Sequence, residues 1–464
     1  MNTFEEIIAQ FNSILWSDVL MVLLLVGALW FTLNSRFVSF RMIPEMLRLI
    51  CQRDKRKEKH VSSFQAFIVS LAGRVGTGNL AGVATAIAVG GPGSVFWMWI
   101  IALLGSAIAF FECTLAQLYK RKNNDTFIGG PAYYMMYGNK MRGLAIFFAL
   151  LSAACFGVAY NSIHSNTICA AVQQAFDVTP LHMGLFLFFG TLLTIFGGIH
   201  RIAKVSSVIV PIMATGYILI ALAVVLLNIT AIPDMLSQIV KGAFGWEQAI
   251  GGGLGATLSQ GIRRGLYSNE AGMGTSPNVA ATATVSHPIK QGLIQSFGVF
   301  VDTLVICTST AFIILLSGNS IDGSYDGIQL TQISLTQEIG QAGGIYIAIT
   351  VLLFAFSTIL SNYYYGESNL RFFTQNKIVI FVYRILAACV VLFGALTSLQ
   401  TAWNLADIAM GLMTLCNVFA MVLLTKPVMV LLKDYVSQRK AGKDPEYKHK
   451  DGDQIPGDIE CWTN

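Results

Sequence analysis

The chain has 464 residues, of which 54% are hydrophobic and only 12% charged, with a net charge of +5. Soluble globular proteins carry about a quarter charged residues, so this composition excludes a water-soluble enzyme and points to a membrane protein. The excess of cations is explained by basic loops between apolar segments and gives no reason to expect nucleic-acid binding.

Eleven apolar stretches follow one another: 16–34, 63–90, 94–118, 142–172, 181–198, 205–229, 246–268, 291–317, 342–368, 379–398 and 401–425. Each approaches or exceeds the length needed to cross about 30 Å of hydrocarbon at about 1.5 Å per residue. Helices are expected, because lipid-exposed backbone must satisfy its own hydrogen bonds and a barrel would show short alternating segments. Lys and Arg concentrate in alternate connections: Arg36 to Lys59, Lys120 to Arg142, Arg201 with Lys204, Arg263 and Arg264 with Lys290, Arg371 with Lys377, and the tail after Lys426. That alternation predicts an outside N-terminus and a cytoplasmic C-terminus. The start, MNTFEEIIAQ, lacks the basic region of a signal peptide, so the first span is expected to stay in place.

Between the spans, residues 37–50 have the pattern of an interfacial amphipathic helix, and 123–141 reads as an interfacial loop. One membrane domain over 1–430 and a polar, mobile cytoplasmic tail over 431–464 are expected. The eight cysteines show no C-x-x-C spacing and read as small apolar fillers.

The run GRVGTGNLAGV, 73–83, interrupts the second stretch. Its Gly76 to Ala81 portion matches a dinucleotide-binding turn, but a membrane span precedes it and no acidic residue follows about 20 positions on. Simple helix packing through small residues is the plainer alternative. That reading leaves Arg74 and Asn79 unexplained, because polar groups at bilayer depth are costly and face a cavity or a partner. An unwound helix explains both, with freed N–H groups meeting a carboxylate and freed carbonyls meeting Na⁺.

Without the first span, ten remain, as two sets of five (63–229 and 246–425) that begin on opposite sides of the membrane. Inverted repeats of this kind place substrate sites at broken helices in matching positions. The second set also opens on a glycine-rich span, with Gly251 to Gly253, Gly255 and Gly261.

The runs RVGTGNLAGVATAI, GGPGSVFWMW, GGPAYYM, YSNEAGMGTSPN and WNLADIAMGLM closely resemble the alanine/glycine:cation symporter family, also called sodium:alanine symporters, over about residues 15–430. The resemblance implies an all-α integral membrane protein of the leucine-transporter (LeuT) fold, with a 5+5 inverted repeat, discontinuous first and sixth core helices, and one extra N-terminal helix at 16–34. It implies symport of a small neutral amino acid (alanine, glycine or serine) with Na⁺ across the bacterial inner membrane, with Na⁺ as coupling ion and no cofactor. A proton-coupled transporter or channel-like permease is the alternative. No H-E-x-x-H, G-x-S-x-G or Walker A motif argues for an enzyme or a pump.

By the same resemblance, the substrate carboxylate meets the backbone at Thr77, Gly78 and Asn79. The sixth core helix unwinds at TLSQG, where the carbonyls of Thr257 and Ser259 and the side chain of Gln260 hold the ammonium. Na⁺ binds carbonyls of Ala72, Val75 and Phe354 and the hydroxyls of Ser357 and Thr358; hard oxygens of low charge suit such an ion, although adjacent hydroxyls can also bond back to their own helix. A second cation site would use Asn79, Thr257 and Asp302, and Asp302 is equally readable as a partner of Arg74. His164 stands where many relatives have glutamine, beside Asn161 and Asn166, and is expected to line the cavity with Trp403 and Met410. Residues 267–278 read as a cytoplasmic gate or hinge beside Arg263 and Arg264, with Arg74, Glu112 and Glu270 as gating candidates and Glu112 a second possible partner of Arg74. Oligomeric state is not legible.

Overall fold

The computed structural model describes residues 10–16, 18–52, 61–123, 126–245, 253–318, 325, 327–397, 399–450 and 454–463. Apart from a two-stranded hairpin, β1 (Arg121–Asn123) with β2 (Thr126–Ile128), the regular structure described is helical, as a chain that must satisfy its backbone inside lipid requires. In order come α1 (Asp18–Asn34), α2 (Ile43–Cys51), α3 (Ser63–Arg74), α4 (Gly78–Gly90), α5 (Gly93–Leu118), α6 (Arg142–Phe176), α7 (Pro180–Ile195) and α8 (Gly198–Leu227). They are followed by α9 (Ile232–Ala243), α10 (Leu254–Asn269), α11 (Ser276–Ala280), α12 (Pro288–Leu316), α13 (Gly327–Ile339), α14 (Gln341–Leu370), α15 (Lys377–Leu396), α16 (Leu399–Leu423) and α17 (Thr425–Lys440).

Among the described residues seven helices are long and apolar enough to cross a membrane, and the bent pair α3 and α4 makes an eighth. α1 and α7 are shorter apolar helices, and α10 covers the seventh apolar stretch, whose residues 246–252 lie outside the described residues. The protein is a multi-pass, all-helical membrane protein.

Local chemistry sets where the bent pair begins and breaks. Ser62 and Gln65 form a reciprocal capping box at the start of α3, with the Gln65 amide donating to Ser62 Oγ at 3.1 Å and the Ser62 amide to Gln65 Oε1 at 3.0 Å. α3 stops at Arg74, the axis turns by 46°, and the chain resumes with a wide π-helical turn over Gly78–Gly82. Similar π turns occupy Cys155–Ala159, just before His164, and Phe300–Cys307, around Asp302. Such turns recur at functional sites.

α5 runs between two faces of the molecule. Its first turn packs on Gly242 and Ala243, and its Ser94 reaches Thr257, while its far end meets Ala283 and Trp462. The N-terminal segment lies at the first face, where the Trp16 indole donates to the Asp407 carbonyl at 3.0 Å. The C-terminal segment lies at the second.

Three connections differ from expectation. The tail is docked rather than loose: Trp462 Nε1 donates to the Gln117 carbonyl at 2.8 Å, the Tyr447 amide to Ser286, and Arg121 pairs with Asp458 and Glu460. Its apolar residues Tyr447, Ile455, Ile459 and Trp462 are buried, which offsets the entropy of ordering a polar strap. Residues 126–141 hold β2 and a short buried helical segment with Pro131 to Met135 in the core, against which the strap packs. Arg263 and Arg264 do not share a loop with Lys290. Both lie in α10 near the first face, where Arg263 Nη2 donates to the Trp16 carbonyl at 3.1 Å, whereas Lys290 pairs with Asp444 at the second.

Candidate functional site

The break between α3 and α4 meets α14 through a single hydroxyl. Thr358 Oγ1 lies 2.8 Å from the Ala72 carbonyl, 3.3 Å from that of Val75 and 3.0 Å from that of Phe354. Ser357 Oγ donates to the same Phe354 carbonyl at 2.8 Å. Five oxygen-bearing groups named from the sequence therefore converge in one buried cradle. A Cβ on Gly76 would come within 2.5 Å of Thr358 Oγ1, so glycine is what lets the broken strand approach the hydroxyl.

One turn on, Asn79 joins a second polar cluster. Its amide oxygen accepts the Gly76 N–H at 2.9 Å, and its amide nitrogen donates to Asp302 Oδ1 at 2.6 Å. Ser268 and Thr303 each donate to Asp302 Oδ2 at 2.9 Å. Cys307, expected to be an apolar filler, lies 3.0 Å from Ser268 Oγ and 3.3 Å from the Asn79 amide. Thr257 is not in this cluster. Its hydroxyl donates to the Gly90 carbonyl at 2.6 Å and its own carbonyl accepts from Ser94, and the hydroxyls beside Asp302 are those of Ser268 and Thr303.

The sixth core helix also differs from expectation. α10 is continuous through Thr257, Ser259 and Gly261, so the carbonyls at TLSQG are not freed by unwinding. The interruption comes later, after Asn269. Glu270, Gly272 and Gly274 have φ of 54°, 88° and 83°, and α11 begins at Ser276. Glycine at 272 and 274 removes the steric cost of a left-handed backbone, and the Asn269 side chain accepts the Ala271 amide at 3.0 Å. Residues 264–280 are buried throughout, so YSNEAGMGTSPN is a helix break packed inside the protein rather than an exposed loop. The helix ends beside the two breaks pack closely: a Cβ on Gly78 would meet Ser268 Cα at 2.9 Å.

Arg74 resolves differently from either candidate pairing. Nη1 donates to the Gln295 carbonyl at 3.0 Å and Nη2 to Ser276 Oγ at 2.6 Å, and no carboxylate, Asp302 and Glu112 included, forms an ion pair with it among the described residues. It thus ties the first broken helix to α11 and α12. Glu112 instead accepts from Asn417 at 3.0 Å, and Glu270 caps α10; neither pairs with Arg263 or Arg264. The charge partner of Arg264 is Asp407, at 3.1 Å, with both side chains more than nine-tenths buried. Nothing near Asp407 in the sequence singled it out except its place in WNLADIAM.

Above the breaks, a cleft of about 340 Å³ at the first face is lined by Val89, Asn166, Gln260, Arg264, Trp403 and Asp407, among others. The Arg264 guanidinium stacks 4.6 Å from the Trp403 ring, which packs 4.8 Å from Tyr267. Tyr267 in turn stacks on Tyr160 at 5.1 Å, and its hydroxyl lies 3.3 Å from Thr77 Oγ1. His164 Nδ1 meets the same Thr77 hydroxyl at 2.9 Å, and its Nε2 has no partner among the described residues. The structure thus brings Thr77, Gly78, Asn79 and His164 together with Tyr267 and Ser268. Gln260 and Trp403 line the cleft above them, Ser259 stays within α10, and Met410 is buried in the core.

A family model described as the sodium:alanine symporter family matches residues 1–449. The chain is similar to GlnT of Bacillus subtilis (strain 168), described as a probable sodium/glutamine symporter, at 51% identity over 461 residues that cover 99% of this chain and 96% of the relative. It is 36% identical over 450 residues to the sodium/alanine symporter AgcS of Methanococcus maripaludis, covering 94% of this chain and 98% of the relative. Among solved structures, MhsT in complex with L-phenylalanine matches with a TM-score of 0.57 at 11% identity, over 82% of this chain and 99% of that one, which shows a shared fold. The chain belongs to the sodium:alanine symporter family.

Proposed function

We propose that this protein couples the inward movement of Na⁺ to import of a small neutral amino acid, alanine, glycine, serine or glutamine, by alternating access. The observation that carries the reading is the convergence of the Ala72, Val75 and Phe354 carbonyls on Thr358, with Ser357 beside it. Neutral oxygens of this kind suit a weakly held monovalent ion that must be released on the other side. The relatives' printed names, with sodium paired to glutamine or alanine, support the same coupling and substrate class.

Eleven spans arranged as one extra helix and two inverted sets of five are supported by the two interruptions, 75–77 inside the first span of one set and 270–275 at the end of the first span of the other. The amino acid enters the cleft at the first face, which the alternation of basic loops assigns to the outside. It passes Arg264, Asp407 and Trp403, and its carboxylate reaches the backbone of Thr77 and Gly78. Tyr267 and His164 then face the rest of the molecule. The Asn79–Asp302 cluster is the place for a second coupling ion.

The test is uptake of labelled alanine and glutamine by the purified chain in proteoliposomes. Uptake driven by an inward Na⁺ gradient is expected. Equal uptake when K⁺ or choline replaces Na⁺, at clamped pH, overturns the Na⁺ reading, and uptake driven by a pH gradient alone selects proton coupling instead.

A further inference from the structure

The second face carries a groove that the transport reading does not use. It lies between the end of α1 and α17, encloses about 450 Å³, and is walled by Met429, Leu432 and Val436 with Arg36, Arg41 and Lys433 at its edges. We propose that this groove binds one anionic phospholipid, its phosphate held by the three cations and an acyl chain lying on the apolar wall.

Charge is the first argument. Arg36, Arg41 and Lys433 are all exposed, and among the described residues none of them makes an ion pair or a side-chain hydrogen bond. Several other cations of this face are neutralised: Arg48 and Arg439 by Glu45, Lys290 by Asp444, and Arg121 by Asp458 and Glu460. Among the described residues no acidic side chain lines the groove, and three positive charges surround an apolar floor. Basic pockets beside membrane helices are suited to anionic headgroups, and a guanidinium fork matches phosphate oxygens in pairs. A zwitterionic lipid would bring its own cation against these three.

Depth is the second argument. α1 exposes Val22, Leu23, Val26, Leu29, Trp30 and Leu33, an apolar face suited to lipid tails. Arg36 follows directly after this band, flanked by exposed Phe37 and Phe40, at the level where acyl chains give way to headgroups.

Backbone shape is the third. Arg36 and Phe37 are consecutive left-handed residues, φ 53° and 56°, although neither is glycine. The turn is closed by the Phe37 amide donating to Thr32 at 2.8 Å and the Arg36 amide to Leu33 at 3.0 Å. Side-chain-bearing residues seldom adopt this conformation. Here it ends α1 abruptly and leaves Arg36 on the groove rather than continuing the helix past it.

Native mass spectrometry of the full-length detergent-purified protein tests the assignment, with phosphatidylglycerol, phosphatidylcholine or inorganic phosphate added separately. Phosphatidylglycerol is expected to be retained over phosphatidylcholine. Each of Arg36→Gln, Arg41→Gln and Lys433→Gln is expected to weaken retention about fivefold, and the triple variant more than about a hundredfold. Should the triple variant fail to fold, the single variants and the charge-keeping Arg36→Lys and Arg41→Lys proteins decide the matter, with the Lys forms retaining lipid. Equal retention of the two lipids, or undiminished retention by folded Gln variants, overturns the proposal. Displacement of the lipid by inorganic phosphate alone overturns it too, by assigning the site to a free anion.

Discussion

Thr358 Oγ1 stands 2.8 Å from the carbonyl of Ala72, a residue 286 positions earlier in the chain. That contact joins the broken helix pair α3 and α4 to α14, and it gathers three carbonyls around one hydroxyl at bilayer depth. A hydroxyl can donate to only one of them at a time. The others keep lone pairs, although the Phe354 oxygen also accepts from Ser357, and the hydroxyl itself can rotate to offer its own.

Thr358→Ala removes that oxygen and its methyl neighbour. The Na⁺ concentration for half-maximal uptake is expected to rise about three- to tenfold, the range for one hydrogen-bond-strength interaction. Thr358→Ser keeps the hydroxyl and should restore most of the loss. Unchanged Na⁺ dependence in Thr358→Ala proteoliposomes would remove this residue from the ion site.

His164 and Tyr267 both meet the Thr77 hydroxyl, so they shape the pocket at the first break. His164→Ala should weaken amino-acid uptake about three- to tenfold, again one interaction's worth, while half-maximal Na⁺ changes little. A competition panel of D- and L-amino acids on wild type and His164→Gln measures the effect on selectivity. Identical panels would mean that His164 does not read the substrate.

Arg264 and Asp407 form an ion pair at the edge of the cleft, with each side chain more than nine-tenths buried. Asp407→Asn or Arg264→Gln alone leaves a buried charge without its partner, at a cost of about 3–5 kcal/mol. Each single variant is expected to lose stability in a thermal assay, and the double variant is expected to lose less than the sum. Additive losses would show that the two side chains do not depend on each other.

Asp302 receives hydrogen bonds from Asn79, Ser268 and Thr303. Asp302→Asn keeps the shape but removes the charge. A fall in the Hill coefficient for Na⁺, with transport retained, is the expected result if this cluster holds the second ion. An unaltered coefficient argues for a structural role.

Trp462 anchors the C-terminal strap through Gln117. Trp462→Ala should cost about 3–5 kcal/mol of local packing and make the tail markedly more sensitive to limited proteolysis. Tail cleavage at the wild-type rate would show that other strap contacts suffice.

Positions of the apolar helices were legible in the sequence, because crossing hydrocarbon imposes a local requirement of length and hydrophobicity. So was the break at Gly76, where Arg74 and Asn79 announce buried polar groups. The second break was misplaced by about ten residues. Glycines permit a helix to unwind without forcing it, and Gly255 and Gly261 turn out to serve close packing or nothing evident, with Gly261 pressed on Ser94 and Trp97. The true interruption at Asn269 to Thr275 looked like a loop because it is polar. Only burial against α5, α12 and α16 reveals it as the interior of the protein.

The amino-acid sequence by itself therefore determined the class of protein, its helices and the five oxygen-bearing groups that meet at Thr358. All follow from local pattern or from motif resemblance. Tertiary structure alone decided that Arg74 is held by Ser276 and Gln295, that Arg264 pairs with Asp407, and that the tail is docked. Those choices depend on which helices meet, since a hydrogen bond or ion pair acts over a few ångströms and joins residues that are hundreds of positions apart.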